Sequence, residues 1–202
     1  MSRDTARAAT QFFGGRICLD FANTVDWRTS GAPQELIPDY AAFLSWSERR
    51  GTLLPRAAAA LRRLGKQEDV AAARVLREAY ALRAAIWSAA EALRGAGTAD
   101  LAAFNRMLAT LPAQPRLVGH GARFAYDLRG RDLREPLWPV LWSLTAVLTS
   151  EDADRVGCCR AEGCGWLFVD ESPNRTRLWC SSAVCGNRER ARRAYSKRRA
   201  GR

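Results

Sequence analysis

Apolar residues recur at helical spacing over most of the first 150 positions and alternate only briefly. The longest pattern runs from Glu68 to Arg94. Val70, Ala73, Leu76, Tyr80, Arg83 with Ala84, Trp87 and Leu93 trace one face of a predicted helix, which Gly95 and Gly97 close. Tyr40, Phe43 and Leu44 predict a helix over Tyr40–Arg50, with Asp39 as N-cap and Gly51 as terminator. Pro55 suits a first helical position, and Ala57–Leu64 continues that helix to Gly65. Thr98 caps a helix over Ala99–Ala109, and another runs from Leu133 or Pro136 to Ser150 with both prolines in its first turn. Period-two alternation at Phe124, Tyr126 and Leu128, after Arg116–Val118 and the Gly119–Gly121 turn, predicts a β-hairpin. Behind Gly14 and Gly15, Arg16–Leu19 is expected to be a short strand that turns into irregular or helical chain. The residues up to Thr10 read as a leader. The fold class is therefore α+β and mainly α: a helical domain with a small β-sheet over residues 11–150, then a distinct module over 155–202.

Charge separates the two parts. From Arg155 onward there are twelve Lys/Arg against four Asp/Glu, whereas the first 154 residues hold twenty against seventeen. A basic end on a near-neutral body points to a polyanion partner. No run of about 18 apolar residues suggests a membrane span, and no apolar segment follows the first residues as in a secretory signal. The expected compartment is the cytoplasm, where thiols stay reduced.

The cysteines give that end its chemistry. Cys159 and Cys164, then Cys180 and Cys185, form two C-x4-C pairs separated by fifteen residues. Such pairs can turn four thiolates toward one Zn²⁺. Two disulfides or an iron–sulfur cluster would use the same count, but the expected compartment disfavours the first and the flanking hairpin and arginine tail the second. Cys158 competes with Cys159 as first ligand; Cys159 makes the pairs symmetric. Cys158 and Cys18 are otherwise small apolar residues. Gly165–Asp170 reads as a strand, Glu171–Asn174 as a turn, Arg175–Trp179 as the returning strand, and Ser181 or Ser182 as the cap of the next helix. Loop, hairpin and helix with two ligands at its start describe a treble-clef-like zinc finger, in which one structural Zn²⁺ supplies stability that about 45 residues cannot bury. Four thiolates on Zn²⁺ lower the module's charge to about +6, which is still strongly cationic.

A helix follows to about Ala200. Arg188, Arg192 and Arg199 share one face with Tyr195, and Arg190, Arg193 and Lys197 flank it. Arg forks bond phosphates and guanine edges, so these residues are candidate nucleic-acid contacts, with Arg175 and Arg177 of the hairpin. One or two of them, Arg188 or Arg177 first, are expected to be spent near the thiolates instead. No catalytic signature is present: four thiolates fill a zinc shell, and the single histidine, His120, falls in the predicted hairpin turn. A non-enzyme is expected.

Cys164-Gly-Trp-Leu-Phe-Val-Asp170, Ser172, Asn174, Arg177-Leu-Trp-Cys180 and Cys185-Gly-Asn-Arg188 resemble the CGNR zinc finger. Leu19-Asp-Phe-Ala-Asn-Thr-Val-Asp-Trp-Arg28 resembles the signature of the ABATE domain that precedes it. Together the two cover nearly the whole chain. The resemblance implies a bacterial stress-induced transcription regulator with a zinc-bound, DNA-binding finger and an α/β N-terminal domain that senses a ligand. Asp20, Asn23, Asp26, Trp27 and Arg28 could then line a small-molecule pocket; alternatively Asp20 and Asn23 satisfy backbone groups while Trp27 packs in the core. The leading expectation is a regulator on double-stranded DNA, bound by an effector and paired as a homodimer. An RNA- or ribosome-associated zinc protein is the alternative, favoured if aromatics lie exposed beside the helix.

Overall fold

The computed structural model describes residues 12–99, 101–112, 116–120 and 123–200; the expected leader up to Thr10 lies outside them. Its helices are α1 (Ile17–Ala22), α2 (Tyr40–Arg50), α3 (Pro55–Gln67), α4 (Asp69–Leu93), α5 (Leu101–Leu108), α6 (Trp138–Leu148) and α7 (Asn187–Ala200). Three two-stranded antiparallel ribbons complete it: β1 (Val25–Asp26) with β2 (Gln34–Glu35), β3 (Leu117–His120) with β4 (Arg123–Tyr126), and β5 (Val156–Cys158) with β6 (Leu167–Val169).

The central element is α1, where the sequence suggested a strand over Arg16–Leu19. A short apolar run is ambiguous between the two, and tertiary burial decides it. Cys18, Leu19, Asp20, Phe21 and Ala22 are all buried, and α1 packs against α6, α4 and β6. Phe21 meets the rings of Phe43 and Trp46 at 5.5 and 5.4 Å. The Asp20 carboxylate closes the preceding turn by accepting the Gly14 N–H at 2.8 Å, and it pairs with Arg50 at 2.7 Å.

The caps of α2 follow their sequence signals. Asp39 accepts the Ala42 N–H at 2.7 Å, and Gly51 ends the helix with φ of 74°. Such a cap is worth about 1 kcal/mol. By contrast α3 continues through Gly65 to Gln67, and a Cβ on that glycine would lie 3.0 Å from the Tyr40 ring, a tight approach.

Helix α4 carries two stripes. The buried one is Ala72, Val75, Ala79, Leu82, Ile86 and Ala90, about one residue round from the face expected. Val70 and Leu93 are exposed, while Tyr80, Arg83 and Trp87 meet the segment after α1. The β3–β4 hairpin forms as expected, but Gly119 and His120, read as part of its turn, belong to β3, opposite Phe124 and Arg123. Pro136 lies in a 3₁₀ turn before α6 and Pro139 in the first turn of α6.

Among the described residues no gap in packing separates the helical part from the segment after Arg155. Val156, Leu167 and Val169 belong to the main core, while Phe168 belongs to a second cluster with the four cysteines. Strand β6 therefore serves both cores, one from each face, as period-two alternation allows. The acidic turn at Glu151–Asp154 between them is tied down: Arg16 donates to both Asp152 oxygens, at 2.6 and 3.0 Å.

Candidate metal centre and basic helix

The β6 ribbon positions the ligands. Its partner is β5, immediately before Cys159, and not Arg175–Trp179 as the sequence suggested. Turn chemistry removes that second segment from the sheet. Asp170 accepts the Ser172 and Arg177 N–H groups, Ser172 Oγ accepts the Thr176 N–H, and Arg175 has φ of 50°. Burial opposes the ionisation of Asp170, but these hydrogen bonds hold its carboxyl below the ordinary range. From β5 the chain enters the first knuckle, where Cys159 N–H reaches the Trp166 carbonyl at 2.7 Å. Ser181 then caps a π-helical turn, Ser182–Gly186, by accepting the Val184 N–H, and that turn delivers Cys185. A Cβ on Gly186 would lie 3.0 Å from Trp179, which accounts for glycine where the metal site meets α7.

Cys159, Cys164, Cys180 and Cys185 are buried and their four Sγ atoms all lie within 4.8 Å of one another. Three of the edges are 3.8 Å (Cys164–Cys180), 3.5 Å (Cys180–Cys185) and 3.7 Å (Cys164–Cys185). A tetrahedron with metal–sulfur bonds of about 2.3 Å has edges of about 3.8 Å, so the donor set fits Zn²⁺. Cys158 stands outside this set, with its Sγ directed at the Gly165 carbonyl at 3.3 Å. The first ligand is therefore Cys159.

The arginines divide into spent and exposed. Arg177 is spent, on carbonyls more than on charges: it donates to Trp179, Val169 and Phe13 at 3.0 to 3.1 Å and stacks over Phe168 at 4.3 Å. Arg188 is spent near the metal. It approaches the Cys185 Sγ at 3.8 Å and lies over the Trp27 ring at 4.4 Å. Arg192 pairs with Glu162 and, at 2.9 Å, with Glu189. Glu189 is buried and also accepts the Glu162 N–H, a docking role that its place in a basic run concealed. Arg190 bonds back to Asn187 and the Ser182 carbonyl. Arg175 is exposed on its turn, and Arg193, Lys197 and Arg199 are exposed on the last turns of α7. Of the face predicted at Arg188, Arg192, Tyr195 and Arg199, the first half is docked on the finger and the second half projects.

The five candidate pocket residues do not form one pocket. Asp20 is engaged as described. Asn23 is buried and clamps β6: its amide donates to the Leu167 carbonyl at 2.9 Å and accepts the Leu167 N–H at 2.8 Å. Asp26 accepts the Trp27 N–H at 2.9 Å. Trp27 has φ of 52° and places its ring against the first knuckle, where a Cβ on Gly163 would lie 2.9 Å from it. Thr29 N–H reaches the Gly163 carbonyl at 3.2 Å, and Trp166 Nε1 donates to the Val25 carbonyl at 3.1 Å. Arg28 lines a groove on α4. The segment is thus a clasp on the finger. Its pairing with Trp166 and Gly163 lies more than 130 residues away in sequence and has no local signal.

Two family models match the chain. ABATE, described as "Putative stress-induced transcription regulator", matches residues 15–151, and the CGNR zinc finger matches residues 155–198. No curated protein matches. Among the described residues no helix is long and apolar enough to cross a membrane. Donor geometry and family agree that Cys159, Cys164, Cys180 and Cys185 hold one structural Zn²⁺. The chain belongs to the ABATE family and carries a C-terminal CGNR zinc finger.

Proposed function

We propose that this chain is a DNA-binding transcription regulator, without enzymatic activity, in which the zinc finger folds and aims α7 toward duplex DNA. The observation that supports it most directly is the division of the helix. Its first turns are pinned to the finger through Arg188, Glu189 and Arg192, while Arg193, Lys197, Arg198 and Arg199 stand exposed beyond it. A cationic helix anchored at one end suits a groove or a phosphate backbone. Trp166 is buried and Trp179 is half-covered, so Tyr195 is the exposed aromatic of this region among the described residues. Single-strand stacking platforms use several aromatics in succession, which favours a duplex over RNA. The helical domain serves sensing or self-association, since one finger has a small footprint and specific sites commonly present two half-sites.

Fluorescence anisotropy with duplex DNA and single-stranded RNA, over a salt series, tests the reading. Arg193→Ala with Lys197→Ala should weaken duplex binding and reduce the salt slope by about 2. Unchanged affinity, or preference for the RNA, would sink it.

A further inference from the structure

A groove of about 350 Å³ opens on the second stripe of α4, lined by Val25, Arg28, Tyr80, Arg83, Trp87 and Glu91 among others. That size lies within the range of small-molecule sites. Its two arginines are in different states. Arg83 is saturated: it donates to Thr24 Oγ1 at 2.8 Å and to both oxygens of Glu35, and it lies over Tyr80. Arg28 is held more loosely. Its guanidinium sits 3.7 Å over the Trp87 ring and makes no hydrogen bond to any described residue. It forms an ion pair with Glu91 at 3.8 Å, a half-exposed carboxylate. Burial lowers the Arg28 pKa from its ordinary value, with Glu91 opposing, so the cation gains from a close anion.

The surroundings narrow the anion. Arg28 and Arg83 are balanced by Glu35 and Glu91, so the groove has no excess positive charge to favour a dianion over a monoanion. A planar fork matches a carboxylate with two parallel hydrogen bonds. Val25 and the aromatic edges offer apolar contact for the rest of such a molecule.

We propose that this groove binds a small carboxylic acid through Arg28, and that occupancy is transmitted to α7 by the adjoining residue, Trp27, whose ring carries Arg188. Trp27 is in a left-handed conformation, which is strained for a non-glycine residue, so a modest pull at Arg28 can redistribute it. A displaced Trp27 would leave both Gly163 and Arg188 without their packing partner. The transmission half deepens the regulator reading and rests on it; the binding half does not.

Zinc-loaded full-length protein is titrated calorimetrically with propionate, benzoate, L-alanine and inorganic phosphate at fixed ionic strength. At least one carboxylate should bind saturably at one site. Arg28→Lys, which keeps the charge and loses the fork, should weaken it about tenfold or more. Arg193→Ala should leave it unchanged. Glu91→Gln, which removes the competing carboxylate, should tighten binding and serves if the Arg28 variant fails to fold. No saturation below roughly 10 mM, saturation by phosphate alone, or a Glu91→Gln protein that binds more weakly overturns the site. For transmission, zinc loss to a chromogenic chelator is timed with and without the carboxylate. A change of about twofold or more is expected in the parent and none in Trp27→Leu. Carboxylate binding that leaves the parent's zinc loss unchanged overturns the transmission. Neither readout uses DNA, so failure of the DNA reading registers separately, as absent anisotropy.

Discussion

Replacing Asn23 by alanine asks whether the finger and the helical domain are one folding unit. The side chain makes two hydrogen bonds, both to the backbone of Leu167, and all of these groups are buried. Alanine leaves the Leu167 N–H and carbonyl unpaired. A buried backbone group without a partner costs about 1–3 kcal/mol, so the pair costs about 2–6 kcal/mol, with about 3 kcal/mol a reasonable centre once some water enters. For a chain of this size each kcal/mol moves the midpoint by about 2–4 °C, which gives a drop of about 6–12 °C. Calorimetry and far-ultraviolet circular dichroism on the zinc-loaded protein measure it. Because Leu167 and Val169 sit in the core that α1 and α6 share, one transition is expected, and the helical signal should fall with it. The refuting result is specific: the helical midpoint stays within about 1 °C while zinc is lost faster. That would make the finger a separable body and Asn23 a local contact.

Three further outcomes follow from the metal centre and its surroundings. Cys159→Ser should lose zinc on metal analysis while Cys158→Ser retains about one equivalent, since only the first belongs to the sulfur tetrahedron. Arg177→Ala should lower the thermal midpoint and leave the salt slope of DNA binding unchanged, because that guanidinium is spent on buried carbonyls. Acidification should release zinc with a dependence steeper than one proton per metal, as each bound thiolate must be protonated, and the helical midpoint should fall in step; a midpoint indifferent to zinc would contradict the shared core.

What the sequence shows about this chain is mostly local. The four ligands follow from spacing within knuckles, and α2 follows from Asp39 and Gly51, which act on neighbouring residues. The misread parts all depend on distant partners. Arg16–Leu19 reads as a strand until α6 and β6 surround it, because a short apolar run has no period of its own. The sequence offered Arg175–Trp179 as the partner of β6, and the Asp170–Ser172 turn network removes that segment from the sheet in favour of β5. The periodic face on α4 was real but was the groove stripe, since Ala72, Ala79 and Ala90 carry too little apolar weight to reveal the buried one. Asn23 satisfies backbone groups, as one of its two sequence readings had it, but the partner, Leu167, is contributed by the finger and has no local signal.

The shared strand also bears on how the chain is made. Asn23 leaves the ribosome 144 residues before Leu167, and Gly14, which accepts the Val169 N–H, leaves earlier still. At ordinary synthesis rates that interval is on the order of 10 s. Throughout it the nascent helices carry an open seam where β6 belongs, and that seam closes with the arrival of the segment that also captures zinc. Every copy of the chain therefore reaches its last quarter with both its metal site and its largest hydrophobic core unfinished, and one segment completes the two together.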